Sequence, residues 1–284
     1  MRPMEHEESS YIRQQRERET AVREAQAQID SVVKQLLALP EAQLPPVWMM
    51  QKIGSHSPQH FKNTASWSFV ELVRRGKLSS LSRVIDIGSG CGRLAIPFSL
   101  LIKEGEYFGT DVFEDGITWC TQTVTPANPR FKFFLQKVEN NYYFGGDIKA
   151  SSNISLSFAQ TDSIDFTFAI SVFTHLVEAD AETYFREIAR CLKPDGLAYL
   201  TAFIIDRSFP DFVKRTGLHT AVAEVSPGHY QAYTGQDFFA GYTFDRWRAL
   251  LAQAGLEISG FDPGTWAEKR GAMHYQDTFL VTKK

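Results

Sequence analysis

The chain has 284 residues, 43% of them hydrophobic, and a formal net charge of -3, so it is long enough to bury one large core. The near-neutral charge balance gives no electrostatic case for a nucleic-acid partner. The longest apolar run, near residues 94–102, is too short to cross a bilayer, so no membrane partner is expected.

Cysteine usage and the first residues of the chain indicate a reducing compartment. Cys91, Cys120 and Cys191 are far apart and form no C-x-x-C pair, which also gives no zinc-ligand spacing. Residues 1–10 are acidic and polar, unlike a signal peptide. We therefore expect a cytoplasmic protein without a metal site.

Residues 1–46 are predicted to form an N-terminal helical extension. Ser9 and Ser10 could cap a helix that Pro40 stops, and its apolar residues are sparse early and denser late. A helix this polar needs a surface to pack on. Two alternatives stay open: its later half packs along its own domain, or the helix forms a homodimer or a flap over the active site.

A glycine-rich turn follows the apolar run at 84–87, which is typical of a buried strand. Gly88, Gly90 and Gly92 permit a tight turn and a close approach of the backbone to a ligand, and the following helix should offer free N–H groups there. The spacing is G-x-G-x-G, whereas the dinucleotide fingerprint is G-x-G-x-x-G. Arg93 stands where the third glycine of that fingerprint belongs, so an NAD-type oxidoreductase is the weaker alternative.

An acidic residue ends the second predicted strand, at 106–111. Asp111 lies about 20 residues past the glycines, where a carboxylate can accept hydrogen bonds from both hydroxyls of a ribose. The alternative is that Asp111 caps the helix that follows it.

Three motifs carry a family resemblance. Asp86 followed by G-x-G-x-G resembles motif I of the class I S-adenosylmethionine (SAM) methyltransferases. The run Ser-Val-Phe-Thr-His-Leu at 171–176 and the run Leu-Lys-Pro-Asp-Gly at 192–196 resemble later motifs of the same family, in the right order. The resemblance covers residues 84–205. It implies a Rossmann-like α/β fold over residues 47–284, with one seven-stranded sheet of order 3-2-1-4-5-7-6 and an antiparallel seventh strand.

The resemblance also implies SAM as cofactor and a set of residues that bind it. These are Asp86, Gly88, Gly90, Gly92, Asp111, Val112, Glu139, Ser171 and Phe173. Glu139 departs from the family pattern, because Lys137 stands where the acid that binds adenine is usual. Residues 52–57 are either a polar loop between two helices or a segment that closes over SAM.

Transfer of a methyl group to a hydroxyl oxygen requires a base that removes its proton. His175 is the first candidate because it follows the fourth strand, beside the expected position of the methyl group, and histidine titrates near neutral pH. The alternative is a histidine that starts a helix and bonds to the backbone.

An aromatic-rich insertion at 206–242 interrupts the alternation of strands and helices. It follows strand five, at the sheet edge next to the cofactor, so it is predicted to cap an acceptor pocket. The alternative is a subdomain whose aromatic residues form a small core. The predicted acceptor-binding residues, the last of which precedes the final strand, are His229, Tyr230, Tyr233, Asp237 and His274.

Two classes of function follow from these patterns. The first is a SAM-dependent methyltransferase that acts on a small-molecule acceptor, on an oxygen of a sugar or a secondary metabolite. The second is a protein of the same fold that assembles through its N-terminal helix without catalysis.

Overall fold

The computed structural model describes residues 4–137, 154–233, 238–268 and 274–284. The first half contains, in chain order, α1 (Met4–Ala38), a 3-10 turn (Glu41–Gln43), α2 (Val47–Lys52), α3 (Pro58–Gly76), β1 (Arg83–Ile87), α4 (Ala95–Leu101), β2 (Glu106–Asp111), α5 (Glu114–Ala127) and β3 (Phe131–Leu135). The second half contains β4 (Ile164–Ala169), a 3-10 turn (Phe173–His175), α6 (Glu178–Cys191), β5 (Leu192–Ala202), α7 (Phe209–Thr216), β6 (Ala223–Ser226), β7 (His229–Tyr233), β8 (Phe238–Tyr242), α8 (Phe244–Gln253), β9 (Leu256–Asp262) and β10 (Asp277–Lys283). Within the described ranges, no helix combines the length and the apolar character needed to cross a membrane.

Seven strands form the central sheet, in the order β3-β2-β1-β4-β5-β10-β9. The first five are parallel to one another, and β10 is antiparallel to both β5 and β9. The predicted order is therefore confirmed, with β9 and β10 as the sixth and seventh strands. Because β1 and β4 are central, their side chains are almost all buried, as their apolar sequences require.

Strand β5 differs from the prediction at its start. The sequence predicts a turn at residues 193–196 and a strand from Leu197, whereas the observed strand begins at Leu192. Ile164 pairs with Leu192, but Phe166 pairs with Leu197, so the register shifts between the two pairs. The turn residues are accommodated as a bulge within the strand and do not delay its start.

The later half of α1 packs against the rest of the chain. Ile29, Val32 and Leu36 are buried, whereas Ile12 and Val22 are exposed. The ammonium group of Lys62 on α3 donates to the carbonyls of Leu37 (2.8 Å) and Leu39 (3.2 Å) at the end of α1. Of the two alternatives, the structure therefore shows the first for the later half. The helix starts at Met4, before the serines that were expected to cap it.

The insertion at 206–242 contains α7 and a separate three-stranded sheet, β6-β7-β8. A parallel bridge between Ile204 and Tyr242 connects this small sheet to the end of β5. Phe209 and Phe212 of the insertion join a small core with residues outside it, whereas Phe238 and Tyr242 belong to the main core. The buried members of this core are Phe203, Ile205, Phe209, Phe212, Trp266 and Ala267.

Candidate active site

The turn between β1 and α4 requires glycine at three positions. Gly88, Gly90 and Gly92 have φ values of 84°, 56° and 82°, in the left-handed region that other residues rarely adopt. A Cβ atom at Gly88 would lie 2.4 Å from Cγ2 of Val172, and one at Gly90 would lie 2.8 Å from Cγ2 of Ile53. Backbone conformation and close packing therefore both select glycine here.

The amides of this turn donate within the protein. The N–H groups of Gly88 and Ser89 donate to the carbonyl of Thr110, and that of Gly92 donates to the carbonyl of Ser89. The expectation of free N–H groups at the helix start is not met for these amides, and α4 begins only at Ala95. The absence of side chains at the glycines instead lets Val172 and Ile53 pack directly against the turn.

Asp111 joins the end of β2 to the glycine turn. Its Oδ2 accepts from the amide of Gly90 at 2.6 Å, and its Oδ1 accepts from the amide of Phe113 at 2.8 Å. Burial raises the pKa of this carboxyl group, and the two amides act in the opposite direction. Phe113, not Asp111, is the N-cap residue of α5, so the capping alternative does not describe the contact. Val112 follows Asp111 and is half-buried.

Gly116 is a site residue that the sequence analysis did not single out. It lies in the first turn of α5, where a Cβ atom would come within 2.5 Å of the carbonyl oxygen of Gly90. Glycine at this position therefore lets α5 approach the glycine turn. The available signal was a glycine in the first turn of a predicted helix, where it lowers helix stability without local benefit.

Asp86 lies beneath the turn rather than in the cleft. Its side chain is 3% exposed and accepts a hydrogen bond from the hydroxyl of Tyr107, whose ring stacks on Phe131. Burial raises the pKa of Asp86 to about 7. This carboxyl group is therefore placed to support β1 and the turn from within.

Arg93 connects the glycine turn to residues 52–57. Its Nη1 donates to the carbonyl of Ile53 at 3.1 Å and lies 3.4 Å from Oγ of Ser55. The same Ile53 side chain packs against Gly90. The segment 52–57 thus lies directly on the turn, which the sequence left open.

The segment after β4 presents one side chain to solvent and buries another. Ser171 is exposed, with a φ of 58°. Phe173 is fully buried and stacks on Phe185 with 4.8 Å between ring centroids, so the structure places its ring in the core. His175 is half-buried, and its Nδ1 lies 2.7 Å from the carbonyl oxygen of Phe238 on β8.

Residues 85–200 match the family model described as a methyltransferase domain. This part of the chain is a methyltransferase domain, on a sheet with the strand order predicted for it. The match spans the glycine turn, Asp111 and the segment after β4. The predictions of the family and of its fold are confirmed.

Solved structures share the fold of this methyltransferase domain at low sequence identity. The PH0226 protein from Pyrococcus horikoshii OT3 is 17% identical, with 80% of this chain and 92% of that chain covered and a TM-score of 0.51. A SAM-dependent methyltransferase from Methanosarcina mazei is 20% identical, covering 74% and 96%, with a TM-score of 0.50. A SAM-dependent methyltransferase from Clostridium acetobutylicum ATCC 824 is 12% identical, covering 78% and 91%, also with a TM-score of 0.50. At this identity the likeness shows the fold.

The residues of the methyltransferase domain fit a bound SAM molecule by two observations. Gly88 is exposed and carries no side chain, so its backbone is accessible at the start of the turn. The hydroxyl of Ser89, in the same turn, is buried without a hydrogen-bond partner in the described part of the chain. A buried polar atom of this kind is often explained by a ligand or a water molecule.

Three of the predicted acceptor-binding residues, His229, Tyr230 and Tyr233, lie on β7, whereas His274 packs against α3. His229 stacks on Tyr242 at 4.9 Å and lies 3.7 Å from Glu178, and burial lowers its pKa. His274 contacts Trp67 on α3 at 4.7 Å between ring centroids.

The other two described acceptor-binding candidates differ in their exposure. Tyr230 is half-buried beside the small core of the insertion, and Tyr233 is 48% exposed. Asp237, together with Glu139 of the predicted SAM site, lies outside the described residues.

Proposed function

We propose that the protein transfers a methyl group from SAM to an oxygen of a small-molecule acceptor, a sugar or a secondary metabolite. One observation carries the proposal: the carboxylate at the end of β2 is hydrogen-bonded to the second glycine of a turn whose three glycines all have positive φ. This arrangement places an acid and a glycine-rich turn at the carboxyl edge of parallel strands, where α/β sheets bind ligands.

The residues proposed to hold SAM come from three strand ends. Gly88, Gly90 and Gly92 provide the floor, Asp111 and Val112 border the ribose, and Ser171 borders the methyl side. Asp86 supports the turn from below, and Glu139 stays in the proposal as a contact to adenine. When bound, SAM supplies an electrophilic methyl group on a sulfonium. The acceptor oxygen must attack the methyl carbon in line with the departing sulfur. Orientation of the two substrates can therefore lower the activation free energy by up to about 7–11 kcal/mol.

His175 is proposed as the base. The carbonyl of Phe238 can only accept, so Nδ1 of His175 carries the proton of the neutral ring and Nε2 carries the lone pair. The hydrogen bond thus fixes the tautomer that a base requires. It also connects the candidate base to β8 of the insertion, which supports the proposal that residues 206–242 border the acceptor.

Calorimetry with SAM, S-adenosylhomocysteine (SAH) and NADH tests the cofactor. We expect binding of the first two and none of NADH. Methyl-labelled SAM, incubated with the protein and a small-molecule extract, then tests transfer, and His175→Ala tests the base. Binding of NADH in place of SAM would overturn the assignment, and SAM binding without transfer to any acceptor would favour the non-catalytic alternative. Full turnover by His175→Ala at neutral pH would leave this histidine a structural role.

The homodimer through the N-terminal helix also stays a proposal. It is supported by the exposed apolar side chains of Ile12 and Val22 on the early half of α1. Light scattering of the full chain and of a chain that starts at residue 25 tests it. A dimer that becomes a monomer on truncation supports the proposal, and a monomeric full chain contradicts it.

A further inference from the structure

Three side chains at the ends of three strands form a hydrogen-bonded network, of which the predicted site includes Ser171 but neither Thr201 nor Gln276. The amide of Ser171, after β4, donates to Oγ1 of Thr201 on β5 at 2.8 Å. The hydroxyls of Thr201 and Ser171 both donate to Oε1 of Gln276, just before β10, at 2.6 Å and 3.1 Å. Since β10 is antiparallel to β5 and Thr278 pairs with Thr201, the start of β10 lies at the carboxyl edge of the parallel strands.

Proton accounting fixes the orientation of the Gln276 amide. Thr201 Oγ1 accepts from the amide of Ser171, so the hydroxyl proton of Thr201 needs an acceptor of its own. Only the oxygen of the Gln276 amide supplies one in this arrangement, because its nitrogen is a donor. A flipped amide would leave a buried hydroxyl proton unpaired. Oε1 of the amide therefore faces Thr201 and Ser171, and the two N–H bonds of Nε2 point away from them.

Nε2 of Gln276 makes no hydrogen bond within the part of the chain that the structure describes. Gln276 is 9% exposed as a whole residue, and its side chain is held by hydrogen bonds beside the exposed Ser171. A rigid, oriented donor is what a binding site needs to discriminate between acceptors, because little conformational entropy is lost when the ligand binds.

The backbone at Ser171 adds an independent sign that this edge is functional. A serine with φ of 58° is in the left-handed region, which costs roughly 1–2 kcal/mol for a residue other than glycine. Such residues cluster at ligand sites, where surrounding structure holds them in place. Here the hydrogen bonds to Thr201 and Gln276 hold it.

We propose that Gln276 positions the methyl acceptor, by donating from Nε2 to an oxygen of it beside Ser171. The inference rests on the proposed methyl transfer and names the class of acceptor. The network consists of two hydroxyls and an amide, all uncharged, so it suits an uncharged hydroxyl or carbonyl oxygen rather than a carboxylate, which favours charged donors.

Gln276→Glu is the decisive variant. A carboxylate can still accept from the hydroxyls of Thr201 and Ser171, but it has no N–H to donate. A merely structural role of Gln276 would survive this change, whereas a positioning role would not. Gln253→Glu, on the exposed last turn of α8, introduces the same charge away from the cleft and is the matched control.

The readout is the transfer of labelled methyl from SAM into a dilution series of the small-molecule extract, with SAM affinity measured by calorimetry. We expect Gln276→Glu to raise the half-saturating amount of extract by about tenfold, with SAM affinity and melting temperature within error of the Gln253→Glu control. Equal half-saturation in the two variants overturns the role of Gln276. If the wild type binds SAM but labels nothing, the proposed function fails first, and this inference falls with it.

Discussion

The amide nitrogen of Gly90 and Oδ2 of Asp111 are 2.6 Å apart, and this hydrogen bond links the glycine turn to the end of the neighbouring strand. Replacing Asp111 with Ala leaves the amides of Gly90 and Phe113 without their acceptor. We expect the free energy of unfolding to fall by about 1–3 kcal/mol, and SAM to bind about tenfold or more weakly if the carboxylate also contacts the ribose.

Chemical denaturation and calorimetry with SAM check these two effects. Asp115→Ala, an exposed position in the first turn of α5, is the control for loss of an acidic residue. An Asp111→Ala protein that loses stability but binds SAM as the wild type does would confine Asp111 to a structural role.

Gly116→Ala tests the contact between α5 and the glycine turn. In an ordinary helix position this change stabilises, because alanine is the better helix former. Here the added Cβ would lie 2.5 Å from the carbonyl oxygen of Gly90, so one of the two elements must move. We expect a loss of about 1–3 kcal/mol in the free energy of unfolding and weaker SAM binding. Thr118→Ala, exposed on the same helix, should leave the free energy of unfolding and the SAM affinity unchanged. A stabilised Gly116→Ala protein would show that α5 and the glycine turn can move apart without loss of stability.

The positions of the central strands and the glycine turn could be predicted because both depend on local patterns, whereas the order of the strands came from the family resemblance. An apolar run in the sequence indicates a buried strand, and the left-handed turn requires glycine wherever it occurs. The network at Gln276 could not be predicted, because Thr201 and Gln276 are 75 positions apart and meet only once β10 pairs with β5. Phe173 shows the converse: a motif gives the position of a residue on the chain, but only packing decides whether its ring faces the cleft or the core.

Asp86 should give stability a measurable pH dependence. Its folded pKa of about 7 lies above the ordinary value of 3.8, so the folded state binds this proton more tightly than the unfolded state. The sign follows: the contribution of Asp86 to the free energy of unfolding falls as pH rises from about 4 to about 7, by about 4 kcal/mol at most, and is constant above that.

Asp86→Asn removes this titration while it keeps an acceptor for the hydroxyl of Tyr107. Relative to wild type, the variant should therefore gain stability between pH 4 and pH 7 and hold that gain at pH 8. Urea denaturation at several pH values measures the difference between the two proteins. Parallel profiles would mean that the carboxyl group titrates at its ordinary pKa.

Asp277 connects the end of β5, just before the insertion, to residues 264–266 through hydrogen bonds. Its Oδ2 accepts from the amide of Ile204 at 2.8 Å and from Nε1 of Trp266 at 2.6 Å, and its Oδ1 accepts from the amide of Gly264 at 2.9 Å. Asp277→Ala leaves these buried donors unpaired, so we expect a loss of about 3 kcal/mol or more in the free energy of unfolding. Asp245→Ala, on the exposed start of α8, should change it by less than about 0.5 kcal/mol. Chemical denaturation of both variants measures the two losses, and equal free energies of unfolding would show that the hydrogen bonds of Asp277 do not stabilise the fold.

Two adjacent leucines test how α1 is held. Leu36 is fully buried in a cluster with Met50 and Phe61, whereas its neighbour Leu37 is 39% exposed. Truncation of a buried leucine removes apolar contacts and leaves a cavity, so Leu36→Ala should lower the free energy of unfolding by about 2–5 kcal/mol. Leu37→Ala loses less, because its side chain already meets water, and it keeps the carbonyl that accepts from Lys62. Urea denaturation of the pair separates them. A small and equal cost at both positions would mean that the end of α1 is not docked on the rest of the chain.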